Sequence, residues 1–417
     1  MKTRMFVLIG AITMAGAATA QDDFQPKQFH LTVPIVRGGQ PVAAIVAPET
    51  DDYQALAQRV QAAVRQASGV ELPIIPPEQA LPEAWTEGRS FILLGRLGDS
   101  DAVDALYREH YVCADGRWPG AGGHELRTVH DPWGTGASAV FLGGTTIEDI
   151  GRAVDRFIEL LPAGRDLVLP HTVDVSGPAV SAPMTEAGME AIRRELPGSN
   201  FRSVGGRASS GCLAYHRSGD PNHAVIAREA MYRLAEIVAG MDEVGDSRGV
   251  EYLPLLFDLV EECDAWTDAD RAVLSRFLYE FATKLSYLRT DVEPSPTPRG
   301  NNWNIRTAWE GARYFARYYG IDINGKSERN LTNYYDAMMT WKSREDCPGY
   351  GSITVIDILH YVLKKPDFAA YLDSGLARRM ADYAMTITSN MGDLGGFSYH
   401  GKNRTLNRFG NGTVGSI

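Results

Sequence analysis

The residue types best suited to chemistry are concentrated between positions 299 and 400 of the 417-residue chain. Arg299, Asn301, Asn302, Trp303 and Arg306 surround the start of a predicted helix, directly after a segment stiffened by alternating prolines. Asparagine side chains and the amides at a helix start stabilise negative charge, and arginine pairs with a carboxylate through two parallel hydrogen bonds. The segment therefore indicates a binding site for a carboxylate, such as that of a sugar acid.

Groups able to transfer protons follow further along the chain. Tyr399 and His400 lie in a glycine-rich loop, and a loop residue can face a cleft. His360 lies on a predicted helix at 352–364, where its side chain can instead point into packing. His400 together with Tyr399 is therefore the preferred pair, and Tyr350 is a second candidate acid.

A loop at 342–351 combines basic, acidic, aromatic and glycine residues within ten positions between two predicted helices. This composition is typical of a loop at the floor of a cleft. Its charged residues are predicted to contact substrate, as are four residues from outside the loop. The predicted substrate contacts are Arg344, Glu345, Asp346, Arg299, Asn301, Trp303 and His360.

The sequence Asn-Asn-Trp at 301–303, placed before a helix, resembles the asparagine-bearing loop of α/α-toroid polysaccharide lyases. These include alginate lyases, heparinase II/III-like enzymes and the chondroitin and hyaluronate lyases. In those families an Asn neutralises the uronate carboxylate, a Tyr or His removes the C5 proton, and a Tyr protonates the leaving oxygen. The resemblance implies that Asn302 is the neutralising residue, assisted by Arg306 or Arg299. Because Trp303 stands where alginate lyases often have histidine, the motif does not assign the base.

Two other functions fit the same residues. Glu345 or Asp346 with Asp393 or Glu310 could provide the two carboxylates of a glycoside hydrolase, whose separation sets the stereochemistry of the product. Glu310 itself lies among arginines at helical spacing, which predicts a surface ion-pair ladder. The third possibility is a protein that binds a glycan without turning it over. The lyase is the preferred function of the three.

The first half of the chain has the pattern of an α/β domain at residues 21–175. Short apolar runs alternate with amphipathic stretches, as buried strands alternate with helices in such a domain. The predicted strands are 29–36, 43–47, 72–75, 91–94, 125–130 and 139–142, and the predicted helices are 52–68, 101–110 and 146–161. The Gly-Gly-Thr-Thr segment at 143–146 is predicted to be a capped turn between strand and helix, and not a phosphate-binding loop.

This half resembles the non-catalytic N-terminal domain that precedes the catalytic domain in α-glucuronidases and β-hexosaminidases. The segments that carry the resemblance are 91–95, 123–127 and 139–144, the last leading into the helix at 146–161. The resemblance implies a sandwich-like α/β accessory domain in a carbohydrate-active protein. It also implies that this domain supplies no catalytic residue.

After a linker at 176–184 rich in small residues and proline, strand patterns fade and helices dominate the region 185–417. The predicted helices are 185–195, 221–239, 252–263, 268–288, 303–319, 326–342, 352–364, 368–372 and 377–388. Asp220-Pro221 and Thr267-x-x-Asp270 are typical helix starts. No fixed repeat of solenoid length occurs, so we expect a closed α/α toroid that is incomplete at its C-terminus. The predicted class is thus α+β with two domains.

The N-terminus and the composition restrict compartment and partners. Lys2 and Arg4 precede a short apolar run that ends at Ala18-Thr19-Ala20, which predicts a signal peptide at 1–20 and a secreted or periplasmic protein. The net charge of −11 argues against nucleic-acid binding, and no membrane span is predicted. An acidic polysaccharide is the expected partner, and no motif indicates a cofactor or a metal. Four cysteines allow three disulfide pairings, Cys212 with Cys263 among them, and the sequence does not choose.

Overall fold

The computed structural model describes residues 25–285, 302–323, 360–365, 368–379 and 382 of the chain. Within these residues the protein is a mixed α/β structure in which a sheet-bearing first half precedes a helical second half. The predicted mixed class is confirmed at this level. Closure of the helices into a toroid stays a prediction, because the predicted helix at 326–342 and most of that at 352–364 lie outside the described residues.

The first half is built from two sheets and three α-helices. Its strands are β1 (Thr32–Arg37), β2 (Gln40–Pro41), β3 (Ala43–Val46), β4 (Ile74–Ile75), β5 (Ser90–Gly95), β6 (His124–Val129), β7 (Ser138–Gly143), β8 (Leu167–Pro170) and β9 (Val173–Ser176). Its helices are α1 (Asp51–Ser68), α2 (Asp101–Arg108) and α3 (Ile147–Leu160). The six-stranded sheet has the order β4-β3-β5-β7-β6-β9, with only β6 running against the other strands, and β2-β1-β8 form a smaller antiparallel sheet.

The six-stranded sheet is covered on both faces. All residues of β5 and β7 are buried, which is typical of central parallel strands between two helical layers. One face packs on α1 and α3 through residues such as Val60 and Phe157, and the other packs on α2 through Phe91 and Leu106. The sandwich-like α/β domain predicted from the sequence is thus a three-layered α/β/α unit.

The segment 143–146 is a capped turn, as predicted. The Thr146 hydroxyl accepts a hydrogen bond from the Asp149 amide at 3.2 Å, and the Asp149 carboxylate accepts one from the Thr146 amide at 3.1 Å. A Cβ added to Gly144 would lie 2.6 Å from the backbone of Asp149. Glycine is therefore required by close packing of the turn against the start of α3.

The second half contains the helices α4 (Glu186–Glu195), α5 (Phe201–Ser218), α6 (Pro221–Ala239), α7 (Leu253–Asp258), α8 (Asp268–Thr283), α9 (Asn302–Tyr319) and α10 (Phe368–Asp373). Helix α5 was not predicted, and α7 is shorter than predicted. Three glycines and four serines in α5 lower its intrinsic helix propensity. Its packing against α6 compensates, since a Cβ added to Gly211 would lie 2.9 Å from the backbone oxygen of His223 on α6.

The two halves are joined by buried polar contacts. The Tyr111 hydroxyl donates to Asp258 at 2.6 Å, and the Arg127 guanidinium donates to the His216 backbone oxygen at 2.9 Å. Cys113, Cys212 and Cys263 are free thiols, so Cys212 and Cys263 do not form a disulfide. None of the helices in the described part of the chain is both long and apolar enough to cross a membrane.

A lysine near the N-terminus is buried against the end of α7. The Lys27 ammonium lies 3.8 Å from Asp258 and 3.6 Å from Glu262, and it also contacts Glu261. It stands 3.5 Å from the centroid of the Tyr318 ring on α9. We call Lys27, Asp258, Glu261 and Glu262 the Lys27 cluster. Burial raises the pKa of Glu262 to about 7 against the opposing charge of Lys27, and the negative charge of Asp258 adds to the rise.

Candidate functional site

Helix α9 carries the segment that the sequence marked for chemistry. Its first turn is fixed to the loop before α7 by Asn304, whose fully buried side chain accepts from the Ser247 amide at 2.8 Å and donates to the Gly245 oxygen at 3.2 Å. Further along, Ile305, Trp309 and Phe315 pack into the helical core. These contacts determine which side chains of α9 face the described residues around it.

A basic and aromatic group lies beside the first turns of α9. The Arg306 guanidinium donates to the Tyr252 hydroxyl at 2.5 Å. It also lies 4.9 Å from the centroid of the Tyr252 ring and 5.0 Å from that of Trp303. Arg306 is buried, whereas Tyr252 and Trp303 are half-buried. The two rings therefore form the accessible edge of this group, and the cation lies behind them.

A histidine held by a carboxylate lies next to this edge. The His360 ring is 5.0 Å from the Tyr252 ring, and its Nε2 is hydrogen-bonded to the Glu310 carboxylate. Because an ionised carboxylate can only accept, the proton lies on Nε2 and leaves Nδ1 as the acceptor nitrogen. Glu310 also accepts from Lys364 at 2.6 Å. We call Tyr252, Trp303, Arg306, Glu310, His360 and Lys364 the α9 site.

The charge states in the α9 site follow from burial and neighbouring cations. Burial raises the pKa of Glu310, but the charges of Lys364 and His360 outweigh it and hold that pKa well below its usual range. Burial and the Lys364 charge lower the pKa of His360 to about 4. At neutral pH the site thus contains an ionised carboxylate and a neutral imidazole, which is the form that accepts a proton.

The N-terminal half contributes two residues to this region. Glu109, which follows α2, pairs with Arg313 of α9 at 2.5 Å. The next residue, His110, places its ring parallel to that of His360 with centroids 5.8 Å apart. His110 has a φ of +69°, a left-handed conformation that is uncommon for a residue other than glycine and that recurs at functional sites. The domain expected to supply no catalytic residue thus reaches the α9 site.

The structure brings together three of the residues predicted from the sequence. Trp303, Arg306 and His360 meet around Tyr252, whereas the side chain of Asn302 at the start of α9 is not among the described atoms. The other predicted residues lie outside the described residues. They are Arg299, Asn301, Arg344, Glu345, Asp346, Tyr350, Asp393, Tyr399 and His400.

Sequence reasoning missed Tyr252 and His110 and misplaced Glu310. Glu310 was expected on a surface ion-pair ladder, but it is only 3 % exposed, because the 360–365 segment covers its face of α9. Tyr252 lies 54 positions from Arg306, and no local pattern marks it. The sequence offered only a weak signal for Tyr252, which is an aromatic residue directly before the leucine and proline that begin α7.

The carboxylate of the α9 site is unsuited to hydrolysis. A glycoside hydrolase needs one carboxylic acid with a raised pKa to protonate the leaving group. Glu310 has the opposite shift and binds His360 and Lys364. Across the described part of the chain, no three His, Cys, Asp or Glu side chains are arranged to hold a metal ion.

Comparison with known proteins gives no family for this chain. No protein-family model matches it, and no curated protein matches it at a significant level. The function therefore has to be argued from the geometry of the α9 site.

Proposed function

We propose that the chain is a secreted or periplasmic enzyme that cleaves a uronic-acid-containing polysaccharide by β-elimination at the α9 site. The observation that carries the proposal is the 2.5 Å contact of Arg306 with Tyr252, beside the neutral imidazole of His360. A cation that stabilises developing negative charge, a neutral base and a phenol acid are groups that this reaction uses.

Each group has a role in the reaction. Asn302 neutralises the uronate carboxylate, and Arg306, from behind the two rings, stabilises the negative charge that develops when the C5 proton leaves. His360 takes that proton on Nδ1, and Glu310 stabilises the resulting imidazolium. Tyr252 gives its proton to the glycosidic oxygen as the C4–O bond breaks and the C4=C5 double bond forms. Arg306 then stabilises the phenolate.

The surroundings of the site support a polymeric sugar as the substrate. Trp303 is half-buried at the accessible edge, and sugar faces stack on such rings. Successive helices of the second half pack on one another, α5 on α6, α6 on α8 and α8 on α9. This is the arrangement expected of an α/α toroid, which we propose as the architecture of the catalytic half. The first half is proposed as its accessory domain.

The first test is to offer the protein alginate, glucuronan, ulvan, pectate, heparin and chondroitin. A lyase raises both ultraviolet absorbance, from the new conjugated double bond, and the number of reducing ends. Reducing ends without absorbance would replace the proposal by hydrolysis. Binding without either signal would replace it by a glycan-binding function.

The second test uses variants of the α9 site on the polymer that is cleaved. Tyr252→Phe, His360→Asn and Arg306→Gln should each lower kcat by about 100-fold or more, the usual contribution of one proton-transfer or charge-stabilising group. Tyr232→Phe is the matched control, since Tyr232 is also half-buried and donates to Asp270 at 2.8 Å, away from the α9 site. Melting temperatures identify any variant that fails to fold. Equal kcat in Tyr252→Phe and Tyr232→Phe would reject the role given to Tyr252.

A further inference from the structure

Three polar side chains lie together at the edge of the six-stranded sheet, outside the α9 site. The Ser176 hydroxyl is 2.9 Å from Nδ1 of His124, and Nε2 of His124 is 3.2 Å from an Asp174 oxygen. One tautomer satisfies both contacts: Nε2–H donates to the carboxylate, and Nδ1 accepts from the serine hydroxyl. A hydroxyl, a base and an orienting carboxylate in hydrogen-bonding sequence are the signature of an activated nucleophile.

The arrangement follows from strand pairing. His124 at the start of β6 lies opposite Ser176 at the end of β9. Asp174 is two residues before Ser176 on β9, so its side chain points to the same face. Arg156 of α3 donates to the second Asp174 oxygen at 2.6 Å. The carboxylate is thus held from both sides, by His124 and by Arg156.

Charge and access are consistent with catalysis. The hydrogen bonds from His124 and from Arg156 outweigh the opposing effect of partial burial and lower the pKa of Asp174 to about 2, so the carboxylate is ionised at neutral pH. Ser176 is exposed, and His124 retains 16 % of its side-chain surface.

A glycine directly beyond the strand end on each side, Gly123 before β6 and Gly177 after β9, allows close backbone packing here. A Cβ on Gly123 would lie 2.3 Å from the Ser176 backbone oxygen. Gly177, with a φ of +148°, would bring a Cβ within 2.4 Å of the Pro119 oxygen. The backbone around Ser176 therefore depends on residues without side chains, and neither neighbour covers the hydroxyl.

We propose that Ser176, His124 and Asp174 form a second catalytic site, which hydrolyses small carboxylic esters such as O-acetyl groups on sugars. The substrate class is inferred from the exposure of Ser176. Because the serine lies at the surface, the alcohol part of the ester can be bulky, as it is in a polymer. Only a small acyl group then has to fit beside the serine. This activity is independent of the α9 site and would belong to the first half of the chain.

The proposed reaction proceeds in two steps. Ser176 Oγ attacks the ester carbonyl carbon while Nδ1 of His124 takes the hydroxyl proton. The C–O bond to the alcohol breaks, and the alcohol leaves with that proton, so an acyl-serine remains. Water then attacks the acyl-serine with His124 again as the base, which releases the carboxylic acid and restores the serine.

The test combines turnover with covalent labelling of the full chain. The protein is given p-nitrophenyl acetate and an O-acetylated polysaccharide, and separately a fluorophosphonate probe followed by peptide mass spectrometry. The expected result is release of nitrophenol and acetate, with the probe attached to Ser176. Ser176→Ala should abolish labelling and lower turnover by roughly 1000-fold, and His124→Gln should act similarly. Ser199→Ala is the control, because the Ser199 hydroxyl donates to a backbone oxygen, that of Glu195, at 2.9 Å.

Three results would overturn the proposal. They are an unlabelled wild-type protein, a label on another residue, and a Ser176→Ala variant that turns over ester as fast as the wild type. None depends on the polysaccharide lyase assays, so the two proposals fail separately. Melting temperatures close to that of the wild type would show that the exposed substitution at Ser176 leaves the fold intact.

Discussion

Two buried ionic clusters contact helix α9, and their compositions are opposite. In the α9 site one carboxylate, Glu310, is bound by His360 and Lys364. In the Lys27 cluster one ammonium is shared by Asp258, Glu261 and Glu262. Burial raises the pKa of both Glu310 and Glu262, so the balance of neighbouring charges decides the final direction of each shift.

That balance gives the two clusters different properties. The pKa of Glu310 lies well below its usual range, whereas that of Glu262 rises to about 7. The α9 site therefore keeps a constant charge around a neutral imidazole over the neutral pH range. The Lys27 cluster changes its charge in the same range and connects the N-terminal segment to the end of α7. The α9 site is therefore suited to catalysis, and the Lys27 cluster is suited to a structural role between the N-terminal segment and α7.

Removing the central cation of the Lys27 cluster should cause the largest loss of stability. Lys27→Met leaves three buried carboxylates without the ammonium they share, and should destabilise the protein by about 3–5 kcal/mol at pH 7.5. The loss should be smaller at pH 5, because Glu261 and Glu262 then take up protons. Thermal denaturation at both pH values measures this, with Lys27→Arg as the charge-conserving control. A Met variant as stable as the wild type at pH 7.5 would show that the joint contributes nothing.

Removing the central carboxylate of the α9 site should cause the next largest loss of stability. Glu310→Gln leaves Lys364 buried without its anionic partner, and we expect a loss of about 3 kcal/mol. Glu148→Gln is the matched control, since Glu148 forms an exposed ion pair with Arg152 at 2.8 Å and should change stability by less than about 1 kcal/mol. Urea denaturation of both variants tests the contrast. Similar losses in the two would contradict the buried role of Glu310.

The pKa shifts predict opposite pH dependences for the two clusters. Glu262 holds its proton more tightly when folded, so its stabilising contribution is present below pH 4.5 and is lost as pH rises to about 7. His360 has a folded pKa of about 4, so its contribution is present above pH 6.5 and is lost as pH falls through 4. Each amounts to at most about 3 kcal/mol.

Melting curves from pH 4.5 to 7.5 separate these two contributions. In Glu262→Gln, stability should rise with pH more steeply than in the wild type, because the opposing contribution is removed. In His360→Asn the rise should be shallower. Parallel curves for the wild type and both variants would mean that neither group changes its pKa on folding.

The smallest expected effect concerns the backbone of His110. Glycine adopts a φ of +69° without strain, so His110→Gly should be more stable than His110→Ala by about 1 kcal/mol. If the ring positions His360, kcat on a cleaved polymer should fall in both variants while stability falls only in the alanine variant. Equal stability of the two variants would remove the argument that strain is stored beside the α9 site.

Much of the fold was predictable because it depends on local patterns. The apolar spacing in α1 and α3 and the fully apolar runs of β5 and β7 locate these elements to within about two residues. The starts of α6 and α8 follow from Asp220 and Thr267, whose side chains accept hydrogen bonds from Asn222 and Asp270 as predicted. Helix α5 escaped prediction because packing on α6, and not propensity, stabilises it.

The candidate site was predictable in part. Arg306 and Trp303 were identified because basic, aromatic and asparagine residues crowd one helix start, and His360 because histidine is a common proton acceptor. The arrangement of these three residues was not predictable, because Tyr252 and His110, which contact them, lie at least 51 residues away in the chain. The Ser176 site was missed for the same reason, because His124 and Ser176 meet only through the pairing of β6 with β9.

The sequence by itself determined the mixed α/β class of the fold, the positions of most helices and strands among the described residues, and the caps at Thr146 and Thr267, because these depend on residues within a few positions of one another. Tertiary structure alone decided that Glu310 is buried and that Arg306, Tyr252 and His360 meet. Burial and partners also set the charge of a carboxyl group, which is why Glu310 and Glu262, of the same residue type, differ in their pKa.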